Sequence, residues 1–134
     1  MRVISKSPSQ TKEIGIELGE KLKAGDIVLL FGELGSGKTT FVKGIAEALG
    51  VPEGDISSAS FLIIAEHQGR LPLYHIDLYR VEGEEAIEDA GIYECLGGDA
   101  VAVVEWAEKM PEIKNAIKVR INTIDKKTRE ILID

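Results

Sequence analysis

Apolar residues along this chain form two kinds of pattern, which predict buried strands and amphipathic helices. Two runs of consecutive apolar residues, Ile27–Phe31 and residues 100–105 with a final glutamate, are typical of strands buried on both faces of a sheet. Two other segments carry apolar residues spaced by four positions, which places them on one face of a helix. These helical stripes are Ile14, Leu18 and Leu22, followed by Phe41, Ile45 and Leu49.

Capping residues indicate where the two helices begin and end. Ser7 followed by Pro8, with Gln10 three positions after the serine, is typical of a helix start. Gly25 is expected to end the first helix and Gly50 the second, because glycine readily adopts the conformation that terminates a helix.

Shorter segments complete a predicted sheet. The remaining predicted elements are strands at residues 2–4, 60–66, 73–77, 118–124 and 130–134 and short helices at residues 84–88 and 93–96. The third and fourth strands are separated by a short polar turn, so we expect an antiparallel pair, and the last two strands form a closing hairpin. The pattern predicts one α/β domain over residues 1–134, with a three-layer mixed sheet that has a parallel centre and antiparallel hairpin additions.

Residues 32–39, which lie between the Ile27–Phe31 strand and the second helix, read G-E-L-G-S-G-K-T and fit the P-loop pattern at every specified position. Glycines let successive backbone N–H groups converge on one point, and the helix N-terminus adds its positive dipole end. We expect a P-loop NTPase fold in which Lys38 reaches the β- and γ-phosphates, the Thr39 hydroxyl binds Mg²⁺, and Thr40 lies near the α-phosphate. The predicted nucleotide-binding set here is Glu33, Leu34, Gly35, Ser36, Gly37, Lys38, Thr39 and Thr40.

Two carboxylates end apolar strands and are candidate partners for the metal. Asp77 ends one strand and Glu105 ends another. A P-loop site needs at least one such acid to hold Mg²⁺ directly or through water, and the other could orient the attacking water. Spacing leaves the choice between them open. We expect His75 to be a hydrogen-bonded structural histidine and His67 to be exposed.

Composition limits the classes of function. A net charge of −7 argues against strong direct binding of nucleic acid, so any nucleic-acid role is expected to be indirect. The single cysteine excludes an internal disulfide and a cysteine-cluster zinc site. No signal peptide or membrane-spanning run is recognisable, which favours a cytoplasmic protein without a membrane partner.

Other P-loop classes fit less well. A GTPase-like switch would need Asn-Lys-x-Asp, and the nearest match, residues 122–125, lacks the lysine. A small P-loop kinase would need a substrate lid and an arginine cluster, whereas the five arginines of this chain are dispersed. A non-catalytic nucleotide-binding adaptor is less favoured because Lys38, Thr39, Asp77 and Glu105 are all present.

Four segments in order resemble the TsaE (YjeE) family: the P-loop, Ser-Ala-Ser-Phe at residues 58–61, His-Ile-Asp-Leu-Tyr-Arg at residues 75–80, and Val-Glu-Trp at residues 104–106. The resemblance implies a slow ATPase that binds ATP and Mg²⁺ and is required for threonylcarbamoyladenosine modification of tRNA. It implies TsaB and TsaD as partners, which contact the tRNA and are reset by ATP hydrolysis.

The same resemblance implies roles for individual residues. Lys38 would be the phosphate lysine and Asp77 the catalytic or water-positioning acid, while Thr39 and Glu105 would hold the metal. Ser60 lies where the family has a switch-like threonine, although Ala59 replaces the usual proline. The start of the first helix and the closing hairpin flank the nucleotide base in this family, which makes Ser9 or Thr11, together with Arg129, candidate contacts to the adenosine.

Overall fold

The computed structural model describes residues 1–56 and 63–134, which form a seven-stranded mixed sheet with helices on both faces. The strands are β1 Arg2–Ser5, β2 Ile27–Phe31, β3 Ile64–His67, β4 Leu73–Asp77, β5 Val101–Glu105, β6 Ile117–Thr123 and β7 Arg129–Ile133. Of the strand predicted at residues 60–66, the structure contains the second half, and residues 60–62 lie outside the described part of the chain.

The sheet order is β1-β7-β6-β2-β5-β4-β3. The four central strands β6, β2, β5 and β4 run parallel, and β3, β7 and β1 join antiparallel at the two sides. Both predicted antiparallel pairs and the parallel centre are therefore confirmed. Sequence reasoning did not anticipate that the closing hairpin lies beside β2, where β6 pairs with it in parallel.

Within the described residues, three α-helices accompany the sheet: α1 Pro8–Lys21, α2 Lys38–Ala48 and α3 Glu84–Asp89. The first begins as predicted, since the Ser7 side chain accepts from the backbone of Gln10 at 3.1 Å. The Gln10 side chain in turn accepts from the backbone of Lys6 at 2.7 Å, which satisfies a second amide at this end. The short helix predicted at residues 93–96 is instead a 3-10 turn, Tyr93–Cys95.

The two faces of the sheet carry different cores. Val28 and Leu30 of β2 point toward α1 and α2, whereas Leu29 between them packs with the layer that contains α3. This alternation is the period of two expected of a strand buried on both faces. The three predicted layers are thus present, although α3 and short 3-10 turns provide the only regular structure on the second face within the described ranges.

Helices α1 and α2 pack with their backbones close together. A methyl group at Gly44 would collide with the carbonyl of Lys12 and lie 2.9 Å from the backbone nitrogen of Ile16. Gly15 faces the carbonyl of Phe41 in the same way. The close approach holds α2, and therefore the loop before it, against the first helix.

The parallel centre brings the strand ends together beside α2. Glu105 is the register partner of both Asp77 in β4 and Leu30 in β2. Because the carboxyl ends of parallel strands meet at one edge of the sheet, the two acids and the P-loop after β2 share that edge.

Candidate nucleotide-binding site

The P-loop has the backbone conformation that its glycines permit. Gly35 and Gly37 have φ angles of 80° and 107°, which side-chain-bearing residues rarely adopt. Gly37 precedes the first residue of α2, and no side chain caps the helix there. Amides in the first turn of a helix lack intrahelical acceptors, so those of α2 are available to an anion in the adjoining cavity.

A cavity of about 250 Å³ opens at this end of α2. Its lining consists of Leu34, Gly35, Ser36, Gly37, Lys38, Thr39, Thr40, Glu105 and Trp106. Every residue predicted around the phosphates except Glu33 therefore contributes to one cavity. Leu34 is the most exposed of the large apolar residues in the described chain, at 76%.

The Lys38 ammonium lies inside the loop, and the residue as a whole is only 5% exposed. It donates to the carbonyl oxygen of Gly32 and, at 3.3 Å, to that of Glu33. The same nitrogen lies 3.6 Å from the centroid of the Trp106 ring, close enough for a cation–π interaction. Trp106 in turn packs on Tyr79 at a centroid distance of 5.2 Å.

Thr39 and Glu105 form a pair of oxygen ligands beside the cavity. The Thr39 hydroxyl donates to Glu105 at 3.2 Å from Oε1 and 3.4 Å from Oε2. Glu105 is 2% exposed, and its Oε2 also lies 2.5 Å from Nε2 of His75. His75 is therefore hydrogen-bonded as predicted, and its partner is the predicted metal ligand.

Asp77 lies next to Glu105 on the neighbouring strand but has different partners. Its Oδ1 accepts from the backbone nitrogen of Tyr79 at 2.9 Å, and the residue is 9% exposed. Burial raises the pKa of Asp77; the Tyr79 amide opposes this shift and the charge of Glu105 adds to it. The geometry thus distinguishes the two acids, because Glu105 contacts Thr39 and Asp77 does not.

Burial also changes the proton affinity of Lys38. Desolvation lowers the pKa of Lys38, while the carboxylates of Glu108, Glu105 and Asp77 oppose that shift in decreasing order. A buried cation surrounded by acids is an arrangement typical of functional sites.

Arg129, at the start of β7, joins the closing hairpin to the P-loop. Its Nε donates to the carbonyl of Ser36 at 2.9 Å, and its guanidinium also donates to Gly35 at 3.3 Å. Two further bonds, to Asp125 at 2.8 Å and Thr128 at 3.1 Å, fix the guanidinium to its own turn.

A second cavity, of about 480 Å³, adjoins the P-loop on the side of α1 and the hairpin. Its lining consists of Ser7, Pro8, Thr11, Gly35, Ser36, Gly37, Thr40, Lys126, Lys127 and Arg129. Thr11 and Arg129 were predicted beside the base and do line this space. Ser9 is exposed on α1 and does not line it, so its adenosine contact stays a prediction.

Sequence reasoning missed four residues that line the second cavity: Ser7, Pro8, Lys126 and Lys127. The serine and proline are predicted from sequence only as capping residues, and the two lysines lie in the predicted hairpin turn.

Thr11 is itself buried, and its hydroxyl is hydrogen-bonded to that of Ser5 at 2.7 Å. His67 is half-buried rather than exposed as predicted, and Ser60 lies outside the described residues.

The oxygen ligands at the head of α2 fit a magnesium ion. Mg²⁺ prefers oxygen ligands and is commonly held by one or two protein side chains together with substrate phosphates and water. Thr39 and Glu105 supply a hydroxyl and a carboxylate within hydrogen-bonding distance of each other. Among the residues that the structure describes, no group of three or more His, Cys, Asp or Glu side chains could hold a metal by itself.

Comparison with known proteins identifies the family. A family model described as "Threonylcarbamoyl adenosine biosynthesis protein TsaE" matches residues 5–131. The chain belongs to the TsaE family. The match covers the P-loop, both strand-end acids and Arg129, so the resemblance inferred from four short segments is confirmed over most of the chain.

Individual TsaE proteins and a solved structure agree with this assignment. The "tRNA threonylcarbamoyladenosine biosynthesis protein TsaE" of Treponema pallidum is 42% identical over 125 residues, which cover 90% of this chain and 92% of that protein. The protein of the same name from Bacillus subtilis is 43% identical over 119 residues, covering 85% and 73%. The crystal structure of Bacillus subtilis YdiB has a TM-score of 0.73 at 35% identity, covering 98% of this chain and 82% of that one. The predicted α/β P-loop fold is confirmed by this likeness and by the observed sheet.

In the described parts of the chain, no helix is both long and apolar enough to cross a bilayer.

Proposed function

We propose that this chain is a Mg²⁺-dependent ATPase that serves the threonylcarbamoyladenosine modification of tRNA. The observation that carries the catalytic part is the Thr39–Glu105 pair at the uncapped start of α2, with the buried Lys38 beside it. Family membership supports the pathway part of the proposal, because the relatives from Treponema pallidum and Bacillus subtilis are named for the biosynthesis of this nucleoside.

Each residue of the site has a distinct task in ATP hydrolysis. The amides of the loop and of the first turn of α2 bind the phosphates, and Lys38 binds the β- and γ-phosphates as a compact charge. Thr39 and Glu105 would hold Mg²⁺, which would neutralise negative charge on the phosphates. Asp77 orients the attacking water and accepts its proton, a task to which its raised pKa is suited.

The adenosine is proposed to occupy the second cavity, between the start of α1 and the β6–β7 turn. Thr11 and Arg129 line this cavity, whereas Glu105 lines the other one. Lys126 and Lys127 add positive charge at the rim, which is favourable for a polyphosphate ligand.

The partners follow from the family and from the charge of the chain. We propose that TsaB and TsaD provide the tRNA surface and that ATP hydrolysis by this chain resets their complex between turnovers. A chain of net charge −7 lacks the excess of basic residues that direct tRNA binding needs, so its contact with tRNA is indirect. A cytoplasmic location accords with this role.

Phosphate release by the purified chain tests the catalytic proposal. Lys38→Ala is compared with Lys43→Ala, which removes the same side chain from the same helix but from outside both cavities. We expect ATP- and Mg²⁺-dependent phosphate release from the parent and from Lys43→Ala, and a loss of at least about a hundredfold in Lys38→Ala. Equal release by the two lysine variants would refute the proposal.

Reconstitution tests the pathway proposal separately. TsaB, TsaD, tRNA and a threonylcarbamoyl donor are combined with the parent chain, with Lys38→Ala, or with neither. We expect repeated turnovers only with the parent chain. If modification proceeds through many turnovers without it, the resetting role is wrong even where the ATPase activity is real.

A further inference from the structure

His75 occupies a buried position diagonal to Glu105 in the sheet. Its register partner on β5 is Val103, two residues before Glu105. Alternate residues of a strand share a face, so His75 and Glu105 project on the same side, the side covered by α1 and α2. The imidazole is 5% exposed, and its Nε2 lies 2.5 Å from Glu105 Oε2.

The two oxygens of the Glu105 carboxylate have different main partners, one on β4 and the other on α2. His75 Nε2 is close to Oε2 alone, whereas the Thr39 hydroxyl is nearer to Oε1, at 3.2 Å, than to Oε2, at 3.4 Å. The hydrogen bond from His75 to Oε2 restricts rotation of the carboxylate, so that Oε1 points toward Thr39 at the start of α2. Without His75, Oε2 of this buried glutamate would keep only its long contact with the Thr39 hydroxyl, at 3.4 Å, and a poorly satisfied buried oxygen is costly.

We infer that His75 is a positioning residue that orients Glu105 for the metal. The inference rests on the proposed function, because it assigns a task within the same Mg²⁺ site. His75 does not line the cavity at the start of α2. Its Nε2–H donates to Oε2 and leaves Oε1 directed toward Thr39. Partners of this kind, one step removed from a metal, set ligand orientation and affect metal affinity.

A space-filling role for His75 would give a different response to substitution. Leucine at position 75 keeps an apolar side chain of similar size without a donor, whereas glutamine keeps an N–H at a reach similar to that of Nε2. If packing alone matters, leucine is the better replacement. If the hydrogen bond to Glu105 matters, glutamine is the better replacement, and the difference appears only when Mg²⁺ is present.

The test measures binding of a fluorescent ATP analogue (mant-ATP) by titration, with MgCl₂ varied and with EDTA as the metal-free condition. We expect His75→Leu to raise the Mg²⁺ concentration for half-maximal binding by about 10–100-fold, with metal-free binding unchanged. We expect His75→Gln to recover most of that loss. In Glu105→Gln, adding His75→Leu should cause no further change, because the carboxylate that His75 orients is gone.

His67→Leu is the matched control, since it removes the other histidine of the chain from β3, outside both cavities. If His75→Leu does not fold, as judged by its thermal unfolding, His75→Asn replaces it, because its shorter donor does not reach Glu105. Mg²⁺ dependence equal to that of the parent, or an equal loss with EDTA, would overturn the inference. Failure of Glu105→Gln to change the Mg²⁺ dependence would instead overturn the proposed metal site, and the inference with it.

Discussion

Replacing Arg129 by alanine is expected to weaken both the fold and nucleotide binding, because this side chain connects the closing hairpin to the P-loop. The guanidinium donates to Ser36 and Gly35 in the loop and to Asp125 and Thr128 in its own turn. The bonds to Ser36 and Thr128 are partly buried, whereas the other two are exposed to solvent. Only the partly buried pair should contribute much to stability.

The expected loss of stability follows from the two partly buried hydrogen bonds alone. Each partly buried charge-assisted hydrogen bond contributes about 1 kcal/mol once solvent exposure is allowed for, so Arg129→Ala should lower the free energy of unfolding by about 2 kcal/mol. A domain of 134 residues loses about 3–4 °C of Tm per kcal/mol, which gives a fall of about 6–8 °C. With the loop carbonyls of Gly35 and Ser36 released, we expect nucleotide affinity to fall by about tenfold, equivalent to 1.4 kcal/mol.

Arg2→Ala is the control, since it removes an arginine from β1, the strand that pairs with β7. Arg2 pairs with Glu130 at 2.6 Å, but its side chain is 61% exposed, and such surface pairs contribute about 0–1 kcal/mol. Thermal unfolding and mant-ATP titration of both variants would measure the difference. Equal changes in Tm and equal dissociation constants for the two variants would refute the reasoning. Arg129→Lys should recover little, because an ammonium cannot reproduce the geometry of the guanidinium fork.

Four other substitutions have expected outcomes. Asp77→Asn should slow phosphate release by about 10²–10⁴-fold in a steady-state assay and leave mant-ATP binding intact. Because burial raises the pKa of Asp77, its ionisation lowers stability as pH rises from the unfolded pKa through the folded one. Asp77→Asn should therefore be the more stable protein at neutral pH, and urea unfolding that shows it less stable would contradict this sign. Gly44→Ala should cost about 1–3 kcal/mol in urea unfolding, while Gly54→Ala, whose added methyl would meet nothing within 4 Å, should cost much less. Trp106 is the single tryptophan, so ATP binding that draws Lys38 away from its ring should change the fluorescence, and Lys38→Met should abolish that response.

The parts of the site that could be predicted from sequence are local in the chain. The strand, loop and helix around residues 32–39 are consecutive, so the pattern of glycines and apolar residues specifies all three. Asp77 and Glu105 could be singled out as candidates because each ends an apolar strand, and parallel strands bring their ends to one edge. Sequence left open which acid faces Thr39, since the answer depends on side-chain directions at that edge.

Contacts between distant parts of the chain could not be predicted. Arg129 and Ser36 are 93 residues apart, and they meet only because β6 pairs with β2 and carries the hairpin to the loop. No local pattern records that pairing, because β6 could have docked at another strand of a mixed sheet with the same hydrophobic alternation. The contact between His75 and Glu105 has the same origin, since it depends on the register of β4 against β5.

The charges at the head of α2 explain why a nucleotide and a divalent cation should bind together here. Lys38, Asp77 and Glu105 are all at least nine-tenths buried, and when both acids are ionised they outnumber the ammonium. A triphosphate alone would bring further negative charge next to these carboxylates, and the loop amides and Lys38 would have to offset all of it. A cation held by Thr39 and Glu105 would offset that repulsion. It follows that Mg²⁺ should strengthen nucleotide binding in the parent chain, and that neutralising Glu105 should reduce the benefit of the metal.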